Sequence, residues 1–243
     1  MKKINLSKRL KSVAHWIETQ VPSPIHLLDI GSDHAYLPIA LIQAGIIQSA
    51  IAGEVVEGPY QSALSQSIKC QVTDRLHVRL GDGYQVLKED DHVNVTSICG
   101  MGGQLIRKIL EEGLLEQKLT PRLVLQANNH EELLRSFLWE HGYQIELEQW
   151  LQDKGKTYNL MFASQVGKVI NYSTRDLKMG KKDRIIFDAS YLEYCQHQIS
   201  SLNRIIEEMS QAQSKDANFD QTIDSMQNKL NWFKEEVERC PFC

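Results

Sequence analysis

The chain has 243 residues, of which 42% are hydrophobic and 24% charged, with a formal net charge of −4. That composition supports a sizeable folded core and excludes a disordered chain, a fibrous repeat and a disulfide-stapled miniprotein. No apolar run approaches the roughly 20 residues a membrane-spanning helix needs, and the basic start MKKINLSKRLKSVAHWI leads into no continuous apolar stretch, so no membrane span and no secretory leader are expected, and the cytoplasm is the expected compartment.

The first predicted element is a short basic helix carrying Lys8, Arg9 and Lys11. From there to about residue 165, short apolar runs alternate with longer amphipathic ones, the pattern of strands alternating with helices. Strands are expected over Ile25–Ile30, Ala50–Glu54, Leu76–Leu80, Val93–Cys99 and Arg122–Gln126, with crossover helices such as Tyr36–Ala44 and Pro59–Lys69 between them. Tyr143–Trp150 and Thr157–Ser164, joined across the turn-rich Gln152–Lys156, read as a hairpin that ends the sheet with an antiparallel strand. Residues 166–182 read as a basic linker. Beyond it Leu192, Cys195, Ile199, Leu202, Ile206 and Met209, and then Phe219, Ile223, Met226, Leu230, Phe233 and Val237, recur at alternating spacings of three and four. With the polar Ser214–Asn218 between the two stripes, residues 183–243 predict an antiparallel coiled-coil helical hairpin. The fold class is therefore α/β: a Rossmann-like doubly wound sheet over 1–165, a linker over 166–182 and the helical hairpin.

Whole-chain charge hides its distribution, which is what a polyanion would meet. Residues 185–243 hold five basic and ten acidic side chains, a net of −5, which leaves +1 on residues 1–184. Lys2, Lys3, Lys8, Arg9 and Lys11 form an acid-free basic stretch, and Lys168, Arg175, Lys178, Lys181, Lys182 and Arg184 outnumber Asp176 and Asp183. The five cysteines, at 70, 99, 195, 240 and 243, are odd in number and widely spread, so reduced thiols are expected. Cys240 and Cys243 have the spacing of a redox or zinc pair, but no second Cys or His pair stands at a suitable distance, and no metal is expected.

The most informative stretch is LLDIGSDHAYLPIAL, Leu27–Leu41. A strand runs into Asp29 and Gly31, then a short polar turn, then a helix with Pro38 near its first turn. In an open parallel sheet this first strand-to-helix loop is where the backbone approaches the ligand. A pyrophosphate would want three glycines in a GxGxxG arrangement, whereas here Ser32, Asp33, His34 and Ala35 follow Gly31, and Asp33 would repel it. An acidic turn suits a ligand with positive charge; on this fold the cofactor of that description is S-adenosylmethionine, with its sulfonium and α-amino group. Glu54, in IAGEVVEGP, ends the second strand, where a carboxylate can take both ribose hydroxyls, and Asp82, between Gly81 and Gly83, follows the third and could accept from an adenine amino group. After the fourth strand, CGMGGQLI (Cys99–Ile106) puts glycines at 100, 102 and 103, implying a backbone brought close to ligand or substrate, with Met101 able to pack on a flat ring. Candidate cofactor contacts are thus Asp29, Gly31, Ser32, His34, Glu54, Val55, Gly81, Asp82, Gly83, Gly100 and Met101.

SKRL (7–10), DIGSDHAYLP (29–38), GEVVEGP (53–59), GDG (81–83), GMGG (100–103) and LQAN (125–128), with the helical hairpin after them, resemble the bacterial tRNA (adenine-N1)-methyltransferase family TrmK over essentially the whole chain. The resemblance implies a class I S-adenosylmethionine-dependent methyltransferase domain acting on N1 of adenosine 22 in the D arm of tRNA. Family members commonly read LQPN, so Ala127 is a departure that could loosen the loop holding Asn128. Under this reading Asp33 and Asn128 are the candidate catalytic residues, Asp33 supplying a carboxylate and Asn128 orienting the base edge, with His34 and Tyr36 as neighbours. Lys8, Arg9, Lys11 and Arg107, with Lys108 beside it, are the candidate tRNA contacts. The partner is tRNA, with no membrane and no metal, and a monomer is favoured. Two other readings stay open: an NAD-dependent oxidoreductase, disfavoured by the missing glycines and by Asp33, and a non-catalytic binding module that uses the hairpin for partner assembly.

Overall fold

The computed structural model describes residues 4–211 and 219–239. In chain order the elements are α1 (Lys8–Gln20), β1 (His26–Ile30), α2 (Tyr36–Gln43), β2 (Ser49–Glu54), α3 (Glu57–Lys69), β3 (Leu76–Leu80), β4 (Val95–Met101), α4 (Gly103–Leu115), β5 (Arg122–Ala127), α5 (Glu131–Glu140), β6 (Tyr143–Asp153), β7 (Lys156–Gln165), α6 (Thr174–Met179), α7 (Ala189–Ser210) and α8 (Phe219–Glu238). The strands form one sheet in the order β3-β2-β1-β4-β5-β7-β6. The first five are parallel, and β7 runs antiparallel between β5 and β6. The order reverses between β1 and β4, and the carboxyl ends of those two strands border the crevice where such sheets bind ligands.

The strands read as near-continuous apolar runs because helices cover both faces. Neighbouring residues serve opposite layers: Leu27 packs with Val13, Ile17, Leu37 and Leu41, whereas Leu28 packs with Ile98, Ile106, Leu110 and Leu125. The β6–β7 turn is tighter than the sequence suggests, since only Lys154 and Gly155, with φ of 51° and 74°, separate the two strands. Two consecutive left-handed residues match the twist of a hairpin, which extends the ladder into the expected loop.

The segment expected as a linker contains α6, started by a reciprocal cap in which Ser173 Oγ accepts from the Asp176 N–H and Asp176 accepts from the Ser173 N–H. The long helix α7 begins at Ala189 rather than 183, where the Asp188 carboxylate accepts from the Tyr191 N–H at 3.0 Å. α7 and α8 pack antiparallel, the Tyr194 ring near the start of one lying 5.8 Å from Phe233 near the end of the other. Tyr191, Cys195, Leu202, Leu230 and Phe233 are buried, while Ile199, Ile206 and Met226 are only partly covered. The pair docks on β6 through Trp150, which stacks against Tyr191 and Tyr194 at 4.9 and 5.3 Å. Behind Trp150 lies a buried ion pair, Arg135 on α5 with Glu148 on β6 at 2.5 Å. The predicted Ser214–Asn218 connection and the Cys240 and Cys243 pair lie outside the described residues. No described helix is long and apolar enough to cross a membrane.

Candidate active site

The site grows from Asp29, one residue short of the end of β1 and in register with Ser97 of β4. Asp29 is buried, and its two oxygens accept from Ser32 Oγ and Ser97 Oγ, each at 2.5 Å. Burial pushes its carboxyl up to about 6, against the pull of the two hydroxyls and of the Arg9 charge. The chain then turns through Gly31 at φ +68° and through three consecutive left-handed non-glycine residues, Asp33, His34 and Ala35, at +40°, +67° and +56°. Each such residue costs on the order of 1 kcal/mol, so the turn persists only because its surroundings hold it. The Asp33 N–H donates to Glu54 Oε1 at 2.5 Å, His34 Nδ1 bonds Ser62 Oγ, and the His34 ring stacks on Tyr36 with 5.2 Å between centroids. The result is an exposed Asp33 carboxylate at the loop's tip.

A cavity of about 300 Å³ opens beside this loop at the carboxyl ends of β1 and β4. Of the expected cofactor contacts, Asp29, Gly31, Ser32, Gly100 and Met101 line it, together with Asp33, Tyr36 and Cys99. Gly31 has a specific reason to be glycine beyond its φ: a Cβ there would stand 2.0 Å from Met101 Cε. Glu54, Val55, Gly81, Asp82, Gly83 and His34 lie outside that wall. Glu54 is buried on the next strand tip, and burial, reinforced by the Asp29 and Asp33 charges, raises its pKa against the pull of the Asp33 N–H. Asp82 is exposed one strand further, where the Gly81 N–H bonds the Glu54 carbonyl at 2.8 Å. The three acids therefore sit on adjacent strands in the order expected. The glycines around Asp82 do different work: a Cβ on Gly81 or Gly83 would press on Val86 or Ile109 at 3.0 and 3.2 Å, which ties them to packing rather than to a ligand. Val55 is 64% exposed, and His34 is turned toward α3.

The GMGG segment also divides. Gly100, at φ +84°, forms a bulge in the β4–β5 ladder and faces the cavity. Gly102 and Gly103 approach the β5–α5 loop instead of a ligand: a Cβ on Gly103 would stand 2.5 Å from the His130 carbonyl oxygen and 2.6 Å from that of Asn129. Gly103→Ala is expected to cost about 1–3 kcal/mol by forcing those backbones apart. Gly58→Ala on α3, where nothing lies within 4 Å, serves as the control in the same thermal melts and is expected to hold or slightly raise stability.

The loop after β5 carries Asn128, held at three points despite the preceding Ala127. Its N–H donates to the Met101 carbonyl at 2.8 Å, its Nδ2 to the Gly100 carbonyl at 2.8 Å, and its Oδ1 accepts from Gln126 Nε2 at 3.0 Å. Ala127 is itself buried at the end of β5, paired with Met101 and Asn159, so the expected loosening is not seen. Gln126 went unnoticed in the sequence, as did Ser97; the signal available was a polar side chain inside an otherwise apolar buried strand, which must find partners.

Among the expected tRNA contacts, Lys8 and Lys11 are exposed on α1. Arg107 is paired along its helix with Glu111 at 2.7 Å and Lys108 with Glu112 at 3.6 Å, so both are partly neutralised. Arg9 is not on the surface with its neighbours; it lines the cavity, where Nη1 donates to Gln126 Oε1 at 2.6 Å.

The raised Asp29 pKa carries a pH prediction. An acid whose pKa is higher in the folded chain contributes stability below its unfolded value, near 3.8, and loses it as pH rises through about 6. A shift of that size corresponds to about 3 kcal/mol. Asp29→Asn is therefore expected to raise the melting temperature of the ligand-free protein above pH 6, by less than the full amount because an amide cannot accept from both hydroxyls, while weakening the binding of a cationic ligand. Melting curves from pH 4 to 8 on both proteins test this; parallel curves would refute it.

The site can be set against known proteins. A family model described as TrmK, tRNA (adenine(22)-N(1))-methyltransferase, matches residues 27–230. The Bacillus subtilis tRNA (adenine(22)-N(1))-methyltransferase is 34% identical, over 98% of this chain and 99% of its own. Among solved structures, Streptococcus pneumoniae Sp1610 in complex with S-adenosyl-L-methionine superposes with a TM-score of 0.80 at 36% identity, over 96% of this chain and 100% of that one. M. capricolum TrmK in complex with S-adenosyl-homocysteine does so with a TM-score of 0.81 at 26% identity, over 97% of this chain and 99% of that one. The reversal of strand order at β1 and β4, the acidic strand tips beside it and these matches lead to one conclusion: the chain belongs to the TrmK family of tRNA (adenine(22)-N(1))-methyltransferases.

Proposed function

We propose that this chain transfers a methyl group from S-adenosylmethionine to N1 of adenosine 22 in the D arm of tRNA, with Asp33 and Asn128 acting on the base. The observation that carries the reading is the pair Asp29 and Asp33 in the wall of the switch-point cavity, with Glu54 bonded behind them on the next strand tip. Two of these carboxyls have raised pKa values, so the site gains when a positive charge settles beside them. The residues fit the cofactor. Asp29, Ser32, Gly31, Gly100 and Met101 would hold its amino-acid end, and Glu54 and Asp82 on the next two strand tips its ribose and adenine. When bound, the cofactor supplies a methyl group on a sulfonium centre, which needs little acid help.

The work left to the protein is positioning, water exclusion and charge stabilisation. N1 lies on the Watson–Crick edge, so the nucleotide must leave its stack to reach the site. Asn128 retains one Nδ2 hydrogen and one Oδ1 lone pair beyond the bonds described above, enough to read that edge. Asp33, exposed at the cavity mouth, faces the place where the methylated base becomes cationic. Lys8 and Lys11 on α1 take backbone phosphates. Incubation with labelled S-adenosylmethionine and unmodified tRNA, followed by nucleoside mapping, tests the reading: label is expected on N1 of adenosine 22, and label at another atom or position overturns it.

A further inference from the structure

We infer that the cleft between the β5–α5 loop and the root of the helical hairpin binds a second nucleotide of the tRNA, a strand neighbour of adenosine 22, with its base against an amide-rich wall and its phosphate on Lys229. The inference rests on the methyltransferase reading and deepens it, adding a site for a nucleotide that is not itself methylated.

The cleft has a volume of about 680 Å³, against about 300 Å³ for the cavity at β1 and β4. The loop after β5, the β6–β7 turn and α7 build it, with Lys229 contributed by α8. One wall is rigid: the Tyr194 ring is stacked on Trp150 at 5.3 Å and meets Phe233 edge-on at 5.8 Å. Asn128 connects the two sites. It lines the cleft, while its Nδ2 donates at 2.8 Å to the carbonyl of Gly100, which lines the cavity. A nucleotide extruded toward the methyl donor strains its strand neighbours out of the stack, and the cleft adjoins the place where such a neighbour emerges.

The lining selects the occupant. Asn129, Gln152, Thr157 and Gln198, with the imidazoles of His130 and His197, offer donors and acceptors together. That mixture complements the edge of an unpaired RNA base. Gln152 Nε2 donates to Thr157 Oγ1 at 2.9 Å, whereas the side chains of His197 and Gln198 have no hydrogen-bond partner among the described residues. Lys229 supplies the one fixed positive charge of the lining. It is half-buried and lies over the Phe233 ring at 5.9 Å, and among the described residues no carboxylate stands within 4.0 Å of its Nζ. The nearby Glu132 is engaged by Lys178 and His130 instead, at 3.9 and 3.8 Å. Burial lowers the Lys229 pKa against the pull of Glu132, so its ammonium gains when an anion settles on it. A single nucleotide brings one phosphate and one neutral base, in the proportion this lining offers. A run of phosphates is a poorer match, because Glu131 and Glu193 share the lining. A protein partner is poorer still, because the cleft presents no large apolar anchor beyond the Tyr194 ring.

The test is steady-state methylation by the full chain, with S-adenosylmethionine, of unmodified synthetic tRNA and of two tRNAs made abasic at the nucleotide before or after adenosine 22. Lys229→Met is expected to raise the KM for intact tRNA by about 10-fold, the scale for one bond to a charged group, while kcat stays within about two-fold. Calorimetric S-adenosylmethionine affinity should be unchanged, which also shows that the variant is folded. His197→Ala, an exposed position, should raise the KM for intact tRNA by about 3–10-fold yet add nothing on one of the two abasic tRNAs, where the base it meets is already gone. Natural KM values in both variants would overturn the inference. So would a His197→Ala penalty of the same size on all three tRNAs, since the side chain would then touch neither neighbouring base. A natural protein that binds S-adenosylmethionine but leaves adenosine 22 of intact tRNA unmethylated would instead overturn the methyltransferase reading, and the cleft's nucleotide with it.

Discussion

Alanine at Arg135 or at Glu148 is expected to cost about 3–5 kcal/mol in unfolding free energy, which for a chain of this size lowers the melting temperature by about 10 °C. The two side chains are 2% and 0% exposed, so removal of either leaves the other charge buried without its counter-charge. Burial by itself would drive the Arg135 pKa down; the Glu148 carboxylate outweighs it and holds the guanidinium above its usual value. The pair also joins elements distant in sequence. Arg135 Nη1 donates to the Leu177 and Lys178 carbonyls at 2.9 and 3.2 Å, tying α6 to α5, and Glu148 Oε1 accepts from Asn159 Nδ2 at 2.9 Å. The double substitution Arg135→Met with Glu148→Leu removes both charges and is expected to regain part of the loss, though not the bonds to α6 and Asn159. Denaturant unfolding of the three variants is the measurement, and a double variant no more stable than either single one would show that the charges themselves are not the cost.

The second large effect is on turnover. Asn128→Ala is expected to slow methyl transfer by about 10²–10³-fold, the scale for losing one preorganised polar contact to the reacting group, while cofactor affinity stays within about two-fold, since the Asn128 side chain meets the cavity wall only at the Gly100 carbonyl and its backbone bond to Met101 survives the change. For Asp33, asparagine is a cleaner test than alanine. The residue sits at φ +40°, which asparagine tolerates, and its bond to Glu54 is made by the backbone and survives the change. Loss of the carboxylate alone should cost a similar factor in the single-turnover rate. Full turnover in either variant with the cofactor bound would remove that residue from the chemistry.

The parallel core was legible because strands buried on both faces leave long apolar runs, and because glycine and acid punctuate their ends. Asp29, Glu54 and Asp82 could be aligned from spacing, since each stands within two residues of the end of a strand and the three strands prove to be neighbours. What could not be read was the direction of side chains. Lys8, Arg9 and Lys11 look alike in a basic stretch, yet helical periodicity turns the middle one into the cavity. The glycines at 81, 83, 102 and 103 signal close approach correctly, but spacing does not say what approaches, and here it is the protein's own Val86, Ile109 and His130. The α6 turn was hidden because six residues are too few for a periodic signal and its stability comes from Arg135, forty residues upstream.

The placement of β7 between β5 and β6 bears on how the chain emerges from the ribosome. β5, with Leu123, Val124 and Leu125 all buried in the finished sheet, is synthesised well before the strand that completes its ladder. Until residues 156–165 are out, its outer edge carries unpaired backbone groups open to other nascent chains, because β6 joins the sheet only through β7. The two-residue reversal at Lys154 and Gly155 shortens that vulnerable interval, because β7 can fold back as soon as it appears.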